Sequence, residues 1–229
     1  MNTNKRNSKN GFTLVELLVV IAIVGVLGTV SVTSIFHLRK SADKTVALGS
    51  MRQLQIANTS YATENNGRFV PPQADVGGVT YEWFENPEFV SLIKSPESTY
   101  VSSGTPDVTL PITLMDPAVV RARGANYTSL EGSYGYTVPI GENALRQVQL
   151  RDPASSAVFI TCGEPFVDHS TKSKIAYRHD EKALVAFYDG RAKPMTQDEI
   201  DEIDEIDSEG GATNVFWQAT ETPAAPPSP

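Results

Sequence analysis

From residue 12 the chain reads FTLVELLVVIAIVGVLGTVSVTSIF, a predominantly apolar stretch to residue 36 in which Glu16 is the only charge. Nothing else in the sequence restricts the fold so tightly. As a helix it is about 37 Å long at 1.5 Å per residue, enough to cross a hydrocarbon core of about 30 Å with some tilt. The ten residues before Gly11, MNTNKRNSKN, are polar and basic. A secretory signal peptide would have a shorter apolar core, about 7–15 residues, ending in a small-residue cleavage site. This run is longer, and the HLRKSADKTV that follows offers no such site. A simple anchor is the remaining plain explanation, and Glu16 argues against it.

A charged residue at a helix centre costs about 2.5–3.5 kcal/mol on the insertion scale, whereas each Leu, Ile, Val or Phe contributes about 0.3–0.6 kcal/mol. Roughly sixteen such residues lie in the run, for a total of about 5–10 kcal/mol in favour of insertion. Insertion therefore succeeds despite Glu16 and does not account for it. An ionisable group inside a membrane segment is expected to have a partner. The run contains no cation, so the expected partner lies on another molecule.

Gly11-Phe12-Thr13-Leu14-Val15-Glu16, after a short basic leader and before LLVVIAIVGVL, resembles the class III signal of type IV pilins and type II secretion pseudopilins. The resemblance implies cleavage between Gly11 and Phe12 by an inner-membrane prepilin peptidase, methylation of the new Phe12 amine, and pairing of Glu16 with the Phe12 amine of a neighbouring subunit. A carboxylate and an ammonium in a low-dielectric bundle are each costly alone and much less so together. Implied partners are the peptidase, the inner membrane, and copies of the chain itself or other pseudopilins. The basic leader also sets the topology: cationic flanks stay cytoplasmic, which sends everything after residue 36 outside the inner membrane.

Composition narrows the partners further. The net charge is -8, and loss of Lys5, Arg6 and Lys9 with the leader leaves about -11. Nucleic acid is not an expected partner for so acidic a chain. Cys162 is the only cysteine, which rules out an intrachain disulfide and a CxxC or Cys-rich zinc site.

Over residues 37–66 the pattern turns amphipathic. Val46, Ala47, Met51, Leu54, Ala57 and Tyr61 recur at three- and four-residue steps among Lys40, Lys44, Arg52 and Glu64. Asn65-Asn66-Gly67 is a helix stop, since Gly takes the left-handed conformation that closes a helix. One helix of about 80 Å from Phe12 to Glu64 is expected, with its outer apolar stripe packed on a globular domain. Trp83-Phe84 and Phe89-Val90-Ser91-Leu92-Ile93 are core candidates, the second a short helix after Asn86-Pro87. Residues 98–111 read as an irregular connection, and the wider 68–130 region has no clear pattern. Residues 133–138 and 157–162 read as strands, with Gly135 allowing a close backbone approach. Residues 174–178 and 183–188 read as a hairpin joined by His179-Asp180-Glu181-Lys182, and Asp189-Gly190 as a turn into a third strand at 191–193. The fold class is α+β: a long N-terminal helix, its first half membrane-spanning, packed on a C-terminal antiparallel sheet. The expected division is a leader at 1–11, an assembly helix at 12–36, an extracytoplasmic helix at 37–66, a globular domain at 67–209 and a disordered tail at 210–229.

His179, nine residues, then Asp189-Gly190 resembles the pilin-like proteins named for an H-x9-DG motif; Ser133-Tyr134-Gly135 and Pro153-Ala154-Ser155-Ser156 resemble that group's other recurrent segments. A catalytic or metal pair is not expected of His179 and Asp189. At opposite ends of a strand they stand about 20 Å apart at roughly 3.3 Å per residue. His179 is expected to shape the hairpin tip or bond a nearby carbonyl, and Gly190 to take a positive φ, so that Gly190→Val destabilises more than His179→Ala.

Thr196-Gln197-Asp198-Glu199 has capping-box spacing, and Ile200, Ile203 and Ile206 follow among eight acidic residues. A short amphipathic helix with a solvated acidic face is expected there. Calcium is the alternative, although EF-hand spacing is missing; no cofactor is otherwise expected. A zinc site from Asp168, His169 and His179 is a weaker alternative, and no hydrolase or nucleotide motif accompanies these histidines. The expected function is a structural pilin-like subunit and not an enzyme. A membrane-anchored binding module or hydrolase that uses the helix only as an anchor is the competing function.

Overall fold

The computed structural model describes residues 12–93, 99–102, 106–124, 129–137, 145–210 and 215–218, with backbone alone at 30–34, 76, 99–102, 106–109, 169, 204–210, 215 and 218. The chain divides into two compact units, Met1–Ser41 and Ala42–Pro229. Helix α1, Leu14–Glu64, contributes to both.

In the first unit the apolar side chains of α1 lie exposed. Phe12, Leu14, Val15, Leu17, Leu18 and Ile21 are all more than half accessible, and Ile23, Val24, Val26 and Leu27 continue the surface. Positions this close in sequence cover every side of a 3.6-residue turn. Among the described residues no helix is long and apolar enough to cross a membrane; the side chains described in the apolar run are those of 12–29 and 35–36.

In the second unit α1 becomes amphipathic, as its spacing predicts. Ala47, Met51, Leu54, Ala57, Tyr61 and Ala62 are buried. The helix stops where Asn66 and Gly67 take positive φ of 54° and 77°, with Gly67 N–H donating to Ala62 O at 2.7 Å. This is the expected left-handed closure.

Beyond it lie two small hairpins and two short helices. Strands β1 (Gln73–Val76) and β2 (Val79–Glu82) pair antiparallel through Gly77-Gly78, both at positive φ, the two-residue turn whose twist suits a hairpin. Helix α2 (Pro87–Leu92) starts as expected: Asn86 accepts from the N–H groups of Glu88 and Phe89, and Pro87 occupies the first turn. Strands β3 (Thr99–Ser102) and β4 (Pro106–Thr109) form a second hairpin where an irregular connection is expected from composition. Helix α3 (Pro117–Arg123) is capped by Asp116 and ends at Gly124.

The main sheet contains β5 (Tyr134–Thr137), β6 (Ala157–Thr161), β7 (Phe166–Val167), β8 (Ala183–Phe187) and β9 (Ala192–Met195) in the order β7-β5-β6-β8-β9. All pairs are antiparallel except β5 with β7, so the fold is the expected α+β, a long N-terminal helix followed by a mostly antiparallel sheet. The hairpin expected from 174–178 and 183–188 does not form. Strand β8 has both edges occupied, by β6 and β9, so no edge is left for 174–178. His169–Lys174 instead makes 3-10 turns, and Ile175 forms a single bridge with Cys162.

Strands β6 and β8 are buried at every residue because both sheet faces are covered. Leu184 and Ala186 share one apolar cluster with the α1 stripe, Trp83 and Phe89. Ala183, Val185 and Phe187 share the other with Ile200, Phe216 and Trp217. A register shift in β6 between Ala157 and Phe159 places Val158 and Phe159 together in the first cluster, as a bulge does. The second cover comes from α4 (Gln197–Gly210) and α5 (Val215–Gln218); α5 lies inside the stretch expected to be a disordered tail, and burial of Phe216 and Trp217 accounts for its order. The capping box at the start of α4 is present, with Thr196 N–H donating to Glu199 Oε2 and Glu199 N–H to Thr196 Oγ1.

Candidate functional site: the amino-terminal helix and the motif strand

Two regions carry the residues singled out by sequence. The first is the start of α1; Gly11 lies outside the described residues. Within its own chain Glu16 already has hydrogen-bond partners. Its Oε2 accepts from Thr13 N–H and Thr13 Oγ1, both at 2.8 Å, and Glu16 N–H donates back to Thr13 Oγ1 at 3.3 Å. This Thr-x-x-Glu pair is a capping box, legible in the sequence but overshadowed by the charge of Glu16. It fixes the carboxylate at the very start of the helix, one turn from Phe12. Phe12 itself is 74% exposed.

The second region surrounds β8, and the nine-residue spacing of the motif has a simple origin. His179 ends the chain's approach to β8 and Asp189-Gly190 begins its exit. At the first end Asp180 and Glu181 both have positive φ, 54° and 60°, and the N–H groups of His179 and Lys182 each donate to the other's carbonyl at 3.2 Å. That tight turn turns the His179 side chain inward.

His179 is only 4% exposed, and besides closing this turn its ring bonds a carboxylate. Its Nε2 lies 3.0 Å from Asp116 Oδ2, and a carboxylate there requires the imidazole to donate. Asp116 is fully buried. Its Oδ1 accepts from Ala118 N–H at 2.9 Å, capping α3, and its own N–H donates to Ser133 Oγ.

Arg178 completes the group. Its NH2 donates to Gly132 O, Ser133 O and Cys162 O at 2.8–3.2 Å. Its Nε sits 3.2 Å from Asp116 Oδ2, close enough to pair by charge but not aligned as a hydrogen bond. Burial pushes the guanidinium pKa down, and Asp116 pulls it back up. A cation, a carboxylate and an imidazole thus tie together the α3 cap, the entry to β5, the end of β6 and the entry to β8. Neither Asp116 nor Arg178 is singled out by sequence. Asp116-Pro117 is nevertheless the same helix-start signal as Asn86-Pro87.

At the other end Gly190 has φ 87°, as expected. Asp189 accepts from Arg191 N–H and pairs with its guanidinium, and Arg191 NH2 donates to Ala154 O at 2.6 Å. Tyr188 N–H and Asp189 N–H donate to Ser156 O and Pro153 O. The structure therefore pairs the segments off. Ser133-Tyr134-Gly135 meets the His179 end, and Pro153-Ala154-Ser155-Ser156 meets the Asp189 end. His179 and Asp189 have different partners and form no joint site.

Asp168 is likewise engaged elsewhere, accepting from Ser170 Oγ and Thr171 N–H. Among the described residues no group of His, Cys, Asp and Glu could hold a metal ion. Burial raises the carboxyls of Glu82 and Glu85 above the ordinary range and the Cys162 thiol above its own, which leaves the thiol un-ionised and unreactive near neutral pH.

Residues 6–32 match the prokaryotic N-terminal methylation motif. Comparison with curated proteins and with solved structures gives no match. The matched segment is a prepilin-like class III signal. It implies processing by a prepilin peptidase, and it points to a structural subunit.

Proposed function

We propose that the chain is a pseudopilin or minor pilin, cut between Gly11 and Phe12, methylated at Phe12, and assembled through residues 12–36 into a type II secretion or type IV pilus-like filament. The match over residues 6–32 carries this reading. The exposed apolar surface of α1 supports it, since a helix that is apolar all round needs lipid or other helices to cover it. Residues 1–11 are then the leader, 12–36 the inner-membrane and assembly segment, 37–66 the extracytoplasmic helix, 67–209 the globular domain outside the membrane and 210–229 the tail. The His179, Asp189 and Gly190 pattern, with its two companion segments, favours the H-x9-DG subgroup.

Glu16 has two candidate roles, capping its own helix and receiving the Phe12 amine of a neighbour. Glu16→Gln separates them. A glutamine keeps an acceptor for the Thr13 N–H but removes the charge. If the charge serves assembly, Glu16→Gln and Glu16→Val both insert and are cleaved normally, yet sheared filaments are lost from both. Wild-type filament yield from Glu16→Gln would reduce Glu16 to a cap, whereas absence of the wild-type chain from sheared filaments would favour a simple anchor carrying an extracytoplasmic module.

A further inference from the structure

We propose that Arg39 and Lys40 form an anionic-phospholipid contact at the outer headgroup layer of the inner membrane. Resting on the membrane reading above, the inference concerns what happens where α1 leaves the bilayer. Four charged side chains follow the apolar run closely, and they divide into two pairs. Asp43 and Lys44 belong to the second unit and are engaged there: Arg121 NH2 lies 2.6 Å from Asp43 Oδ2, and Lys44 Nζ lies 3.5 Å from Asp180 Oδ2. Arg39 and Lys40 belong to the first unit. Both are exposed, and neither has a carboxylate partner among the described residues.

Their depth suits the assignment. At 1.5 Å per residue Lys40 is about 42 Å along the helix from Phe12, and a bilayer with its headgroups spans about 40–45 Å. Long basic side chains in this position lay their methylene stems on apolar surface and place the charge among phosphates. The charge distribution gives the contact a purpose. Residues 42–229 carry fourteen Lys and Arg against twenty-six Asp and Glu, so an anionic bilayer surface repels the domain. Once the leader is removed, Arg39 and Lys40 are the only Lys or Arg residues preceding Lys44. They supply the local attraction that seats the helix at a fixed depth.

The test uses the full chain in nanodiscs of equal parts phosphatidylglycerol and phosphatidylethanolamine, with retained lipid measured by native mass spectrometry. Each cation near such a surface is worth about a fivefold preference for the anionic lipid. Arg39→Gln/Lys40→Gln should therefore lose most of the phosphatidylglycerol enrichment, while the charge-keeping Arg39→Lys/Lys40→Arg retains it. Unchanged enrichment in the glutamine variant overturns the inference. So does loss of filaments from that variant with enrichment intact, which would make the pair a contact between subunits. Failure of the wild-type chain to float with membranes would instead refute the membrane reading itself.

Discussion

At the scale of residues, the motif histidine is a buried structural partner and its energetic importance is greater than its place in a turn implies. Asp116 is enclosed with Arg178 and His179, and removing one member of a buried charged group leaves the others uncompensated. Asp116→Ala is expected to cost about 3–5 kcal/mol, because it strands the Arg178 guanidinium and uncaps α3. His179→Ala loses a hydrogen bond to a charged group, about 1.5–3 kcal/mol. Gly190→Val meets open space, with no atom within 4 Å of an added Cβ, so only left-handed strain of about 1–2 kcal/mol opposes it. The structure thus predicts that His179→Ala costs at least as much as Gly190→Val, where the sequence alone puts Gly190 first. Urea denaturation of the full chain in micelles, followed by the fluorescence of Trp83 and Trp217, should rank the variants in this order. A His179→Ala midpoint equal to wild type would contradict the buried tie.

At the scale of elements, local chemistry made some pieces legible and packing decided the rest. The continuous helix, the Asn66-Gly67 stop, the Asn86 cap and the Thr196 box each depend on neighbours in sequence, and each is where its residues predict. Gly135 is similar in kind: an added Cβ would lie 2.8 Å from Cys162 Cβ, so only glycine lets β5 approach β6. The 174–178 segment misled because alternation reveals that a strand could form and not which edges are free. Gly77-Gly78 and Asp116-Pro117 were readable turn and cap signals lost in a region without periodicity. On the second sheet face the amphipathic α4 was legible from Ile200 and Ile203, but the docking of Phe216 and Trp217 was not, because they are separated in sequence from the strands they cover. Trp217→Ala should open that cluster and cost about 3–5 kcal/mol, read in the same urea series; a loss under 1 kcal/mol would mean α5 is only loosely applied.

The first cluster has a consequence for pH. Burial raises the pKa of Tyr134 and Tyr188 well above the ordinary phenol and that of Tyr136 to about 12. These folded values exceed the unfolded one, so the stability they contribute is full below pH 10 and is lost as pH rises above it. The unfolded chain then holds fewer protons than the folded one, and each tyrosine steepens the loss by about 1.4 kcal/mol per pH unit. Phenolate absorbance from these three residues should appear together with unfolding between roughly pH 10 and 12. Titration of all eight tyrosines in a still-folded domain would contradict their burial.

At the scale of the whole molecule, the two units have opposite surface chemistry. One displays apolar side chains along α1, and the other encloses two apolar clusters within an acidic domain. A chain built this way is suited to hold its first unit in lipid or among copies of itself while the second stays in water. The central claim is that the amino terminus is processed for that purpose, and amino-terminal peptide mass analysis of protein from its native host tests it most directly. The predicted peptide begins at Phe12 and is heavier than its sequence by one methyl group on the amine. A mature terminus beyond Ser31, or a chain still beginning at Met1 in cells with an active prepilin peptidase, would contradict it.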